Sequence, residues 1–215
     1  MTALAIHTTE IFNNITTLEC IKPYFLVGGT ALALQLNTRL SEDLDFMSWK
    51  SQNSEKLEVD WVAIEKELSS IGKIEACDIW DFDHVEYLVS GVKISFYASN
   101  KFSPITKPVH IKNNLWLADI EAIGAMKMEV MLRRSNFRDY YDIYSIVQHG
   151  IILKKLVNLS LIYSGHILST KNLLAMLTDS SRFHIDSGFE QLKPKYQVTP
   201  LEIESYLKER IKAQF

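Results

Sequence analysis

Two stretches of this chain hold side chains whose types and spacing could do chemistry. In YFLVGGTALALQLNTRLSEDLDF, residues 24–46, an apolar run ends at Gly28 and Gly29, a helix-like segment follows, and Asp43 and Asp45 then stand one residue apart. Glycines at a strand-to-helix junction let backbone N–H groups approach a ligand, and the positive end of the helix favours an anion. Phosphate suits that place. Side chains alternate along a strand, so Asp43 and Asp45 share one face while Leu44 and Phe46 point into the core. Two carboxylates with Cα atoms about 6.5 Å apart repel one another unless a cation lies between them. Hard oxygen ligands with open positions suit Mg²⁺ together with substrate phosphates. Each half alone has a plainer reading: a glycine pair that only makes a turn, and two solvated acids with Arg39 as a partner.

The second stretch is MKMEVMLRRSNFRDYYDIY, residues 126–144. At helical spacing the neighbours of Lys127 are Ile123, Gly124, Val130 and Met131, so the lysine either snorkels along an apolar face or is held for a purpose. A fixed positive charge there could neutralise triphosphate oxygens as charge shifts during transfer. Asp139 and Asp142 fall on one helical face, and Arg138 is spaced to pair with Asp142. Tyr140, Tyr141 and Tyr144 supply ring surface for core packing or for stacking a base.

The elements that must position these residues form an α/β pattern. A helix within 3–18 leads to a short buried strand at YFLV, a helix from Thr30 to Leu40 and a strand at DLDFM. Asp60 caps a helix with Trp61, Ile64, Leu68 and Ile71 on one stripe, ended by Gly72. HVEYLVSGVKISFYAS reads as a hairpin turning at Ser90 and Gly91, with Val92, Ile94 and Phe96 on one face and Lys93, Ser95 and Tyr97 on the other. After a proline-containing connection, Asp119 caps a helix to about Arg134 and Asn136 caps another to near Gly150. The remainder is expected to be helical, and Thr199, Pro200 and Glu202 spell a capping box.

The ordered combination of apolar strand, GG, small apolar helix and RLSEDLDF, followed by Lys127, Glu129, Arg138, Asp139 and Asp142, resembles the AbiEii/AbiGii toxin family of the nucleotidyltransferase superfamily. The likeness spans roughly residues 23 to 147. It implies an α+β fold, a small mixed sheet with flanking helices followed by a helical C-terminal part. Residues 1–118 would be the nucleotidyltransferase-like core, and residues 119–215 would complete the active-site cleft. The implied enzyme is a metal-dependent nucleotidyltransferase with Asp43, Asp45, Lys127 and Asp142 catalytic and Asp43 and Asp45 binding Mg²⁺ or Mn²⁺. Gly28, Gly29, Thr30, Arg39, Ser41, Arg138 and Asp139 would contact the nucleotide. The NTP would donate a nucleoside monophosphate to RNA, such as a tRNA end, or to a protein. The setting would be the toxin of a bacterial toxin–antitoxin or phage-defence pair, with a cognate antitoxin. The superfamily commonly places a third carboxylate on the strand beside the DxD pair, where this chain offers Ser95; Glu86 on the partner strand is the substitute candidate.

Ser95 motivates one alternative, a nucleotide-binding module with impaired catalysis. A DxD glycosyltransferase is another, but it calls for a larger nucleotide-sugar fold. The 215 residues, 47% hydrophobic with a net charge of −3, can bury a core and carry no overall attraction to nucleic acid or membrane. Residues 1–150 hold 14 basic and 20 acidic side chains, residues 151–215 nine and six. Cys20 and Cys77 lack metal-ligand spacing, which points to a reducing compartment and a cytoplasmic protein without disulfides. No apolar run approaches the ~18 residues a membrane span needs. DFDH at 81–84 is a second DxD without a glycine junction and reads as turn acids, and neither zinc-hydrolase, P-loop nor nucleophile-elbow spacing occurs.

Overall fold

The computed structural model describes residues 3–167 and 169–215. Leu168, within the stretch expected to be helical, lies outside them. The chain divides into two compact units, residues 1–35 with 40–119, and residues 36–39 with 120–215.

In the first unit the period-two stretches become strands. β1 (Phe25–Val27), β2 (Leu44–Trp49), β3 (Ile74–Asp81), β4 (His84–Val89), β5 (Val92–Ser99), β6 (Val109–Lys112) and β7 (Leu115–Leu117) form one mixed sheet in the order β3-β4-β5-β2-β1-β7-β6. β1 runs antiparallel to β2, and β2 runs parallel to β5. The β4–β5 turn has φ of 49° at Ser90 and 77° at Gly91. Positive φ at both central residues matches the right-handed twist of the two strands. Leu26 faces Phe46, and Phe46 faces Phe96, so three adjacent strands send apolar side chains to one fully buried face. The Phe46 and Phe96 rings stack with centroids 5.1 Å apart.

Helices of the same unit add to this core. α1 (Ile6–Ile15) buries Ile11, Phe12 and Ile15, and α2 (Gly28–Leu36) buries Ala31, Leu32 and Ala33. α3 (Trp61–Ile71) buries Ile64 and Leu68, and its cap is the expected one, the Asp60 carboxylate accepting the Ala63 N–H at 3.1 Å.

Several boundaries differ from the sequence reading. α2 begins at the glycines and stops at Leu36, because Asn37 turns left-handed at φ 51°. The proline-containing connection holds the β6–β7 hairpin, turned at Asn113 with φ 47°. Its strands are only four and three residues long, too short for alternation to stand out. Asp119 fastens the loop before it, accepting the N–H groups of Thr106 and Lys107 at 2.9 and 3.0 Å.

The second unit is helical: α4 (Ile120–Val130), α5 (Phe137–Gln148), α6 (Leu153–Tyr163), α7 (Thr170–Leu177) and α8 (Pro200–Gln214). α4 ends four residues before Arg134. Asn136 does occupy the cap position of α5, yet its side chain makes no capping bond. Gly124 lets α4 approach α6, since a Cβ there would lie 3.0 Å from Leu156. The Thr199 and Glu202 capping box of α8 forms as expected. Tyr140, Tyr141 and Tyr144 are core residues: Tyr140 stacks on Phe183 at 4.2 Å and its hydroxyl donates to the Leu177 carbonyl at 2.7 Å.

Candidate active site

In the first unit, the bend and the acidic pair are brought together. Val27, the last residue of β1, pairs with Asp45 of β2, so the chain leaves the strand beside that carboxylate. Gly28 takes up φ +68°, and a Cβ built on it would sit 2.7 Å from Asp45 Oδ2. Only glycine fits both the backbone angle and that space. The Asp43 side chain is exposed and that of Asp45 is half-buried. Beneath them, the buried Thr30 hydroxyl donates to the Asp43 carbonyl and lies 2.8 Å from Ser41 Oγ. The segment before the acids is held from its other side as well. Ala5 N–H donates to the Ser41 carbonyl at 2.9 Å, and the Thr8 hydroxyl to the Glu42 carbonyl at 2.6 Å.

Register extends the site across the sheet. Asp45 lies opposite Ser95 and Ser95 opposite Glu86, so the three residues form one row on one face. Ser95 is therefore the residue next to the DxD carboxylate, and it is fully buried. Glu86 faces the same way and is engaged: Lys93 Nζ lies 2.9 Å and His84 Nε2 3.4 Å from its Oε1. Partial burial would raise the Glu86 pKa, but Lys93 and His84 hold it below the usual range. Burial would lower the Lys93 pKa, whereas Glu86, Asp43 and Asp45 together raise it. Lys93 is thus a fixed cation on the acidic face. Strand alternation pointed it outward, but nothing in the sequence gave it a role.

The second unit contains a buried ion network. Asp142 on α5 accepts from Arg39 through both carboxylate oxygens at 2.8 Å, in a bidentate pair, and from Lys127 on α4 at 2.7 Å. Lys127 also reaches Asp139 at 2.9 Å, and Arg134 reaches the same carboxylate at 2.8 Å. Arg39 is 7%, Lys127 6%, Asp139 2% and Asp142 1% exposed. Burial at this depth would raise both carboxyls, and the surrounding cations reverse it: Asp139 falls to about 2, and Asp142 is lowered as well. For Lys127, burial alone would lower the pKa, and the two aspartates raise it. Lys127 is held rather than snorkelling to water. Arg138, spaced to pair with Asp142, instead reaches Asp186 at 3.3 Å. The bidentate Arg39 fork occupies Asp142 in its place. The backbone beside Arg39 is fastened too: the Thr38 carbonyl accepts from the Tyr141 hydroxyl at 3.0 Å and from the Lys195 N–H at 2.8 Å, which seats Arg39 against α5.

Residues 20–209 match the protein family described as Nucleotidyl transferase AbiEii toxin, Type IV TA system. The chain belongs to the AbiEii family. Membership makes it a nucleotidyltransferase toxin, an enzyme using an NTP and opposed by a cognate antitoxin. An uncharacterized Aquifex aeolicus (strain VF5) protein, aq_aa25, is 26% identical over 157 residues, covering 70% of each chain. The crystal structure of JHP933 from Helicobacter pylori superposes with TM-score 0.55 at 21% identity, covering 98% of this chain and 94% of that one. MenT4, nucleotidyltransferase toxin Rv2826c from Mycobacterium tuberculosis H37Rv, gives TM-score 0.58 at 14% identity, covering 94% and 80%. At these identities the structures show that the nucleotidyltransferase-like α+β fold is shared.

The residues expected from sequence to serve the AbiEii chemistry thus fall into two groups. Gly28, Gly29, Thr30, Ser41, Asp43 and Asp45 gather in the first unit; Arg39, Lys127, Asp139 and Asp142 gather in the second. Among the described residues no group of three or more His, Cys, Asp or Glu is placed to hold a metal ion by itself, and no helix is long and apolar enough to cross a membrane.

Proposed function

We propose that this AbiEii-family enzyme transfers a nucleoside monophosphate from an NTP to a hydroxyl of an RNA or protein acceptor, with the triphosphate held at the Gly28 bend. The observation that carries this reading is the 2.7 Å between Asp45 Oδ2 and the place a Gly28 Cβ would take. It makes the acidic pair and the N-terminus of α2 neighbours, so that phosphate oxygens on the backbone N–H groups and a cation on the carboxylates share one place. The donor set fits a divalent cation: Asp43 and Asp45 supply hard oxygens on one side, and substrate phosphates complete the coordination. When bound, Mg²⁺ or Mn²⁺ would neutralise the charge of the phosphate oxygens.

The oxygen of the acceptor hydroxyl attacks the α-phosphorus in line and gives up its proton to solvent, a new P–O bond forms, and the bond to the β-phosphate oxygen breaks with release of pyrophosphate. Gly28 and Gly29 bind the phosphates, and Thr30 and Ser41 hold the Asp43 segment in place from below. Lys93 balances the acids from the neighbouring strand. For the second unit, it is the family resemblance that supports Lys127 and Asp142 as catalytic residues and Arg39, Arg138 and Asp139 as nucleotide contacts. Catalysis of this type rests on positioning and electrostatics. Cys20 and Cys77 are both free thiols, in keeping with a cytoplasmic site of action.

Calorimetry with a non-hydrolysable NTP, with and without Mg²⁺, tests the binding half. Wild type should bind in a Mg²⁺-dependent manner and Asp45→Asn should lose at least about 10-fold in affinity, the order expected when one charge-assisted contact of about 1.5–3 kcal/mol is removed. Equal affinity of the two proteins would refute the assignment.

A further inference from the structure

The row of Asp45, Ser95 and Glu86 holds a further charge that the register brings in from the side. Lys93 and Ser95 lie two apart on β5 and so point to one face. Across to β4, Lys93 pairs with Leu88 and Ser95 with Glu86, yet Lys93 Nζ lies 2.9 Å from Glu86 Oε1. The lysine therefore leans along its own strand to meet the carboxylate diagonally. Glu86 leans toward β5 in turn, with Oε1 3.5 Å from Ser95 Oγ. Ser95 is 0% exposed where its row neighbours Asp45 and Glu86 are half-buried, because its short side chain lies beneath this ion pair. The β2–β5 register begins at Leu44 and Ile94, so Asp43 and Lys93 come side by side just before it. The charges of Asp43 and Asp45 both act on the ammonium. The Lys93 side chain is 46% exposed, so a substrate oxygen can reach its Nζ.

We propose that the Lys93 ammonium is a built-in monovalent cation in the place of a second divalent ion, so that the site takes one Mg²⁺ or Mn²⁺ per bound nucleotide. This rests on the reading of Asp43 and Asp45 as the divalent-ion ligands. Two-metal phosphoryl-transfer sites set their ions about 3.5–4 Å apart, one at the attacking and one at the leaving oxygen. A second ion of that kind needs acidic ligands beyond the pair that holds the first. The residue beside Asp45 is the uncharged Ser95, and Glu86, the next acid in the row, already accepts from Lys93. Charge leads to the same count. The negative charges of Asp43, Asp45 and Glu86 are cancelled by one divalent ion together with one ammonium, and a second divalent ion would be pressed against the ammonium and repelled. Glu86, with His84 Nε2 at 3.4 Å on the same Oε1, is the positioning residue that fixes Lys93. Lys93 then offers N–H donors to the acceptor oxygen as that oxygen loses its proton to solvent and gains charge.

The test counts the Mn²⁺ bound by the full chain together with a non-hydrolysable NTP analogue, by native mass spectrometry and by electron paramagnetic resonance. Wild type should hold one Mn²⁺ per nucleotide and give the spectrum of an isolated ion. Lys93→Ala releases Glu86 and should take up a second Mn²⁺, whose spin couples to the first at about 3.5–4 Å. Lys93→Arg keeps the charge and should stay at one. In transfer assays Lys93→Ala should lose at least about 10-fold in kcat with little change in the KM for NTP, and Lys93→Arg should recover most of the loss. A lysine that only braces the fold would change stability and leave the ion count alone. The wild-type count needs no substitution and decides the point even where Lys93→Ala fails to fold. Two spin-coupled Mn²⁺ in wild type, or a single one in folded Lys93→Ala, would overturn the inference and leave the acidic pair as metal ligands. No nucleotide-dependent Mn²⁺ binding at all would defeat the transfer reading itself.

Discussion

At Gly28 a single hydrogen in place of a methyl group decides whether the bend can form. The residue combines a left-handed backbone at φ +68° with a carboxylate oxygen 2.7 Å from the vacant Cβ position. Alanine meets both obstacles. The left-handed angle costs about 1–2 kcal/mol, and the added methyl must displace the Asp45 carboxylate. Gly28→Ala should therefore lower the unfolding free energy by at least about 1 kcal/mol in urea titrations and also reduce nucleotide transfer. A variant with wild-type stability and wild-type transfer would show that the bend is not under this constraint.

Among the elements, α4, α5 and residues 36–39 are tied by charges rather than by apolar contact alone. Asp142 pairs with both Arg39 and Lys127 while 1% exposed, and Asp139 supplies the second negative charge to Lys127. Removing one member of a buried network leaves its partners charged and desolvated, which costs about 3–5 kcal/mol. Asp142→Ala should lose stability of that order by denaturant unfolding; a loss under about 1 kcal/mol would mean water or another acid replaces the carboxylate. This network was legible only in part. Helical spacing put Asp139 and Asp142 on one face and marked Lys127 as misplaced on an apolar helix side. Arg39 as partner of Asp142 spans 103 positions, and no local pattern reports a contact of that range. Strand alternation, by contrast, read the DxD face and the Lys93, Ser95 and Tyr97 face directly. Their alignment into rows depended on the parallel β2–β5 register, which is a tertiary property. The β6–β7 hairpin was missed because its strands are short, although Asn113 and Asn114 between VHIK and LWL were its one local signal.

At the scale of the molecule, charge sets how the protein responds to acid. The Asp139 pKa is lowered to about 2, against 3.8 for an ordinary aspartate. Since the folded value is the lower one, its contribution to stability is fully present above about pH 4 and is lost as the pH falls toward about 2. Unfolding free energies measured from pH 5 downward should fall more steeply for wild type than for Asp139→Asn, and parallel curves would contradict the assignment. The net charge of −3 gives no general attraction to a polyanion, so an RNA acceptor has to be recognised locally. The most direct measurement of the central claim is Mg²⁺-dependent transfer of labelled NTP to cellular RNA and protein by wild type and by Asp43→Ala. With the triphosphate held between the glycine bend and the acidic pair, wild type should label an acceptor and Asp43→Ala should lose at least about 100-fold of that rate, equivalent to about 2.7 kcal/mol. Labelling undiminished by the substitution would contradict it.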